Sequence, residues 1–184
     1  MHRIAILVGS LRKESINAIY AKALEKLGAD QFTFDIVDMD LPLYNNDLWE
    51  NPPAKVLALK AAIKSASGVL IVTPEYNRSV PAVTKNAVDW ASRPYGENAW
   101  AGKAVAITGA SPGSQGTAVA QSQLRSTLIV LGTYVLGEPE VYITFKPEVF
   151  AADGTMLNEG TAKFLKGFLD KFSALIETVR PRTS

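Results

Sequence analysis

The stretch Arg3-Ile4-Ala5-Ile6-Leu7-Val8-Gly9-Ser10-Leu11-Arg12-Lys13-Glu14-Ser15-Ile16-Asn17 decides the fold. Ile4–Val8 is a short apolar run of the kind that fills a strand buried on both faces. A helical pattern starts near Ile16, so Gly9–Asn17 is a Gly/Ser/Arg turn between a strand and a helix N-terminus. Such a turn makes a place for a phosphate, because backbone N–H groups and the positive end of the helix dipole face the anion. Ser10 and Ser15 add hydroxyls, Asn17 an amide, and Arg12 a planar fork that can donate two hydrogen bonds to a phosphate monoester. The loop has neither the Gly-Lys-Ser/Thr of a Walker A sequence nor a G-x-G-x-x-G pattern. The plainer alternative is a β–turn–helix in which Ser15 is an N-cap and the charges are solvated.

Outward from this unit the chain keeps alternating short apolar runs with longer amphipathic ones. Strands are predicted at Arg3–Val8, Phe32–Val37, Gly68–Thr73, Ala104–Thr108 and Thr133–Leu136. Helices are predicted at Ile16–Leu27, Ala54–Ala66, Ala82–Ala91, Thr117–Leu131 and Thr161–Val179. In the last, Phe164, Leu165, Phe168, Leu169, Phe172, Leu175 and Ile176 form one stripe. Five βα pairs imply an α/β fold of three layers, a parallel sheet covered on both faces with right-handed crossovers. Five strands in this length favour the doubly wound, flavodoxin-like order 2-1-3-4-5. No linker, repeat or low-complexity tract divides residues 1–184, so a single domain is expected. Asp153-Gly154 reads as a turn within an excursion before the last helix, and Arg180–Ser184 as a frayed tail.

In such a sheet, ligands bind outside the carboxyl ends of the strands, near the point where chain order reverses. That edge gathers three unusual loops: Gly9–Asn17, Pro74–Val80 and Gly109–Thr117. The second, Thr73-Pro74-Glu75-Tyr76-Asn77-Arg78-Ser79-Val80-Pro81, is stiffened by two prolines, and Tyr76 offers a flat apolar face. It suits a planar heterocycle, or else a rigid turn whose Tyr packs on the next helix. The third has three glycines that allow close backbone approach, with hydroxyls at Ser111 and Ser114.

Composition narrows the chemistry. The 184 residues carry a net charge of +1, with 47% hydrophobic and 20% charged residues, which suits a globular protein and gives no field for nucleic acid. The absence of cysteine removes disulfides, thiol redox chemistry and thiolate metal sites, and fits a cytoplasmic location. The lone histidine, His2, precedes the first strand, at the edge away from the loops, so neither a His-based triad nor a His metal site is expected. The apolar run after Met1-His2-Arg3 is too short for a signal peptide, and no run approaches the ~18 apolar residues of a membrane span. Lys85 and Asp89 are spaced as a helix-surface pair. Trp49, Trp90 and Trp100 are candidates for core or for an oligomer interface, and Trp100 would meet an active site only across a dimer.

Together the motifs Gly9-Ser10-Leu11-Arg12 with Ser15 and Asn17, Pro74-Glu75-Tyr76-Asn77, Pro81, Lys85-Asn86, Asp89-Trp90, Arg93-Pro94, Gly102-Lys103 and Gly109–Gly116 resemble the NADPH-dependent FMN reductase family. The resemblance covers essentially the whole chain and is nearest to the quinone/chromate reductase branch. It implies that Ser10, Arg12, Ser15 and Asn17 bind an FMN phosphate and that Gly9, Leu11 and Ile16 also belong to the cofactor site. Pro74, Glu75, Tyr76 and Asn77 would line the isoalloxazine, with Ser111 and Gly113 on its other side and Arg78 also in the cofactor site. It further implies ping-pong hydride transfer from NADH or NADPH through FMN to a quinone, with chromate, azo compounds or ferric complexes as further acceptors. A homodimer or homotetramer is implied as well, with Lys85, Asp89 and Arg93 as substrate or interface residues. Gly116-Thr117 departs from the Gly-Gly of many relatives. The rival readings are a flavodoxin-type electron carrier and a non-enzymatic nucleotide-binding module on the same fold.

Overall fold

The computed structural model describes residues 1–180; of the tail expected to fray, Arg180–Ser184, Arg180 is described, its N–H donating to the Ile176 carbonyl at 3.0 Å, and 181–184 lie outside the described residues. Five parallel strands stand in the order β2-β1-β3-β4-β5, with β1 at His2–Val8, β2 at Phe32–Ile36, β3 at Gly68–Val72, β4 at Ala104–Ser111 and β5 at Tyr134–Val135. The predicted order is therefore observed. The strand count is not, because a sixth strand, β6 (Tyr142–Thr144), pairs in parallel with the carboxyl end of β4. β5 pairs only with Ala104 and Val105, and β6 takes up the same edge at Gly109, Ala110 and Ser111. This second set of partners carries β4 three residues past the predicted Thr108, so the third loop begins only after Ser111.

The five α-helices among the described residues are α1 (Ile16–Gly28), α2 (Ala54–Ser65), α3 (Ala82–Ser92), α4 (Ala118–Val130) and α5 (Glu159–Val179), with a short 3-10 helix at Asn46–Glu50. Alternation along the strands sorts them into two layers. Ile4, Ile6 and Val8 of β1 and Ala104, Ala106 and Ala110 of β4 pack with α1 and α5, whereas Ala5, Leu7, Val105 and Ile107 pack with α2, α3 and α4. The alanines and Gly68 leave room for the aromatic stripe of α5; a Cβ on Gly68 would stand 2.8 Å from the Phe172 ring. Each buried aromatic or branched side chain contributes about 1.5–3 kcal/mol relative to exposure. Trp90 and Trp100 belong to this core, the first of the two alternatives left open for them; Trp100 is fully buried and its Nε1 donates to the Val88 carbonyl at 3.2 Å. The half-buried Trp49 packs edge-on against Trp90 at 5.3 Å. The expected turn at Asp153-Gly154 closes a small hairpin bridged at Phe150 and Met156, with Gly154 at φ +83°. No helix among the described residues is long and apolar enough to cross a membrane.

What positions the site is how closely the strands approach at their carboxyl ends. A Cβ on Gly9 would lie 2.1 Å from the Thr84 hydroxyl and 3.2 Å from that of Thr73; one on Gly109 would lie 1.9 Å from the Thr73 carbonyl oxygen. Gly9, just past β1, is crowded chiefly by Thr84 of α3, and Gly109, inside β4, by the Thr73 carbonyl just past β3. Gly109→Ala must push backbone against backbone, and an overpacking cost of about 1–3 kcal/mol is expected as a lowered urea midpoint. An unchanged midpoint would contradict this packing.

Candidate functional site

The three loops meet at the sheet edge in two adjoining cavities. One, of about 280 Å³, is bounded by Ser10, Arg12, Ser15, Ile16 and Asn17 of the first loop, by Pro74, Glu75 and Tyr76 of the second, and by Ser111 of the third. The other, of about 390 Å³, is bounded by Glu75, Asn77 and Arg78 on one side and by Ser111, Gly113, Ser114, Gln115 and Gly116 on the other. They share Glu75 and Ser111, so together they form one groove of the size small ligands occupy.

At the first end, α1 is capped by Ser15, whose Oγ accepts from the Ala18 N–H at 3.3 Å. The Ile16 and Asn17 N–H groups have no acceptor among the described residues. These two free donors, the Ser15 hydroxyl hydrogen and the exposed Arg12 guanidinium make an open anion-binding corner. Asn17 plays a different part from the one its residue type suggests. Its amide is buried and committed to Ala110, donating to the carbonyl and accepting from the N–H, both at 2.9 Å. It ties α1 to the end of β4 and leaves anion contact to its backbone. Gly9 lies buried beneath the loop, and the exposed Leu11 is outside the groove lining.

The second loop turns sharply through Asn77 and Arg78, both left-handed at φ 51° and 59°, while Tyr76 and Ser79 exchange backbone hydrogen bonds. Two successive non-glycine residues in that region are strained and must be held by their surroundings. Gln123 of α4 holds them: its amide donates to the Arg78 carbonyl at 3.2 Å and its oxygen accepts from the Ser79 hydroxyl at 2.8 Å. Glu75 makes the second tie. Its nearly buried carboxylate accepts from the Val119 and Ala120 N–H groups at 2.9 and 3.0 Å, capping α4, whose own N-cap Thr117 makes no side-chain cap. Of the two helix N-termini bordering the groove, that of α4 is thus closed by the protein and that of α1 is open.

Below the floor, Tyr20 bonds Thr108 at 2.9 Å, and Thr108 and Gln121 both donate to the Val141 carbonyl. Burial pushes the Tyr20 phenol far above its ordinary range, so it stays a neutral structural group. Lys85 and Asp89 lie outside both cavities, paired with one another at 2.7 Å on α3. Arg93 follows the far end of α3, where the Lys60 ammonium holds its carbonyl. His2 stands at the start of β1, 3.1 Å from Glu177. Glu14 and Gln115 line the groove without having been singled out from sequence, since neither belongs to a recognisable local pattern.

Glu75→Ala removes a charge-assisted cap and uncovers buried N–H groups. A loss of about 1–2 kcal/mol in folding stability is expected by chemical denaturation, and wild-type stability would rule out the cap.

The family described as NADPH-dependent FMN reductase matches residues 2–148. The chain is 46% identical over 179 residues to a 2-hydroxy-1,4-benzoquinone reductase of a Burkholderia species, covering 97% of this chain and 98% of that protein. It is 41% identical over 182 residues to a quinone reductase of Pseudomonas putida, covering 98% and 97% of the two chains. The solved structure of FerB, a flavoenzyme NAD(P)H:(acceptor) oxidoreductase from Paracoccus denitrificans, superposes with a TM-score of 0.94 at 48% identity, covering 97% of this chain and 98% of that one. On the sheet order, the three converging loops and these matches, the chain belongs to the NADPH-dependent FMN reductase family.

Proposed function

We propose that this protein is an FMN-dependent NAD(P)H:quinone oxidoreductase whose groove takes the cofactor phosphate at Arg12 and the N-terminus of α1. The observation that carries this orientation is the pair of unsatisfied Ile16 and Asn17 N–H groups beside Arg12, set against an α4 N-terminus already filled by Glu75. A phosphate dianion gains charge-assisted hydrogen bonds at the first and would meet a carboxylate at the second. The residues present fit FMN in other respects. The groove continues from the anion corner, past Tyr76, into a wider cavity walled by Asn77 and Arg78 and by Ser111, Gly113 and Ser114, which leaves the ribityl chain and the flat ring to follow the phosphate along it.

FMN, when bound, supplies the redox chemistry, accepting a hydride from NAD(P)H and delivering it to the acceptor. The chain's own residues bind and orient. Ser15, Ile16, Asn17 and Arg12 anchor the phosphate through backbone donors, a hydroxyl and a cation. Pro74 and Tyr76 present one wall, and the N–H groups of Asn77 and Arg78, without acceptors among the described residues, face whatever enters beside them. Glu75 and Gln123 keep that wall at a fixed distance from α4, so the ring slot is set before a ligand arrives. Quinone reduction consumes one hydride equivalent and one proton from solvent, so no buried acid is needed.

A homodimer or homotetramer belongs to the same reading. Lys85, Asp89 and Arg93 lie outside the groove on and beyond α3, and are assigned to subunit contacts or to a neighbouring copy's acceptor site. A chain without cysteine has no disulfide to lose in a reducing compartment, which supports a cytoplasmic site of action.

The test is a visible spectrum followed by anaerobic addition of NADH or NADPH and then of a quinone. A flavin band that bleaches with the nucleotide and returns with the quinone is expected. No flavin uptake after added FMN overturns the cofactor site, and bound FMN that neither nucleotide bleaches favours the electron carrier. Arg12→Ala is expected to weaken FMN binding by about 1–3 kcal/mol in a fluorescence titration. Unchanged affinity in a folded variant would remove Arg12 from the phosphate site.

A further inference from the structure

The anion corner carries a charge that binding of FMN leaves unexplained. Glu14 stands in the first loop between Arg12 and the cap Ser15, and it lines the same cavity as both. It is exposed and makes no hydrogen bond or ion pair among the described residues. The other carboxylate of that cavity is already committed, since Glu75 is nearly buried and closes α4 through the Val119 and Ala120 N–H groups. Glu14 does not close α1 in the same way, because the Ile16 and Asn17 N–H groups stay without an acceptor. Lys13, the other cation of the loop, lies outside the cavity lining. This end of the groove therefore sets one guanidinium, Arg12, against two carboxylates. Its attraction for an anion rests on the Arg12 fork and the open N-terminus of α1, working against Glu14.

We propose that Glu14 sets how firmly the cofactor phosphate is held, lowering the affinity that Arg12 and α1 provide and keeping FMN exchangeable. A phosphate monoester is close to a dianion at neutral pH, so a carboxylate left uncancelled in the same cavity opposes nearly two charges. In the flavin-free chain the same carboxylate is favourable. An acidic side chain beside a helix N-terminus is stabilised by the positive end of the dipole, and the two open donors leave that end unsatisfied. Glu14 thus acts in opposite directions on the folding of the flavin-free chain and on its uptake of FMN. This rests on the phosphate lying at α1 and adds what limits its affinity there.

The experiment titrates flavin-free wild-type protein, Glu14→Gln and Glu14→Asp with FMN and with riboflavin, at low and at high salt, by flavin fluorescence. Riboflavin lacks the phosphate and serves as the internal reference. The preference for FMN over riboflavin is expected to rise about fivefold in Glu14→Gln at low salt, and the gain to shrink as salt screens the charge. Glu14→Asp keeps the charge and is expected to stay near the wild-type preference. FMN release, followed after dilution, should slow in Glu14→Gln by a similar factor. The urea midpoint of flavin-free Glu14→Gln should fall slightly, so that a tighter site cannot come from a more stable fold. A preference that stays at the wild-type value or falls in Glu14→Gln, an equal change for both flavins, or a raised urea midpoint overturns the proposal. Equal affinities for the two flavins in both the wild-type protein and Glu14→Gln overturn the phosphate corner itself, and the role of Glu14 with it.

Discussion

Everything in the groove depends on the close approach of three strand ends. Thr73, just past β3, and Thr84 of α3 lie so near the neighbouring strands that Gly9 on one side, against Thr84, and Gly109 on the other, against the Thr73 carbonyl, have no room for a Cβ. The Thr73 hydroxyl turns inward, bonding the Pro74 carbonyl and the Thr84 hydroxyl and so satisfying itself within the crowded seam. Because the seam is tight, the loops leaving it stay side by side, and a ligand can touch all three at once. A side chain at either glycine would separate the loops as well as strain the sheet.

Polar ties between distant segments then fix the loops' orientations. Asn17 joins α1 to Ala110, Glu75 joins the second loop to α4, and Gln123 clamps the turn at Arg78. Each tie satisfies donors that would otherwise be orphaned, and each decides where the groove keeps free ones. Closing α4 with a carboxylate and leaving α1 open with Arg12 beside it gives the groove an electrostatic polarity, with its anion-attracting end at α1. No titratable array is needed at the reacting end, because the cofactor of this family carries the electrons.

The sequence announced the fold through the Ile4–Val8 run and the alternation that followed it, and topology alone brought the three loops to one edge. The unread features share a cause. Asn17 looks like an anion ligand locally, but its partner is a backbone 93 residues away, placed only once the strand order exists. β6 is three residues long and follows a separate stretch after β5, so it shows no periodicity of its own, and without it β4 reads three residues short. Gln115 and Glu14 carry no local signal, since their place in the groove comes from the loops' final geometry. The role of Glu75 as a helix cap needs α4 in place, so its residue type and neighbours gave no sign of it.

The most direct measurement is the affinity of the flavin-free protein for FMN and for riboflavin, by flavin fluorescence titration. The two ligands share the ring and the ribityl chain and differ only in the phosphate. An anion corner at Arg12, Ser15 and the open N-terminus of α1 predicts that FMN binds at least roughly tenfold more tightly, with the gap narrowing as salt is added. Equal affinities would mean that the phosphate does not enter that corner, and the proposed orientation of the groove would fail.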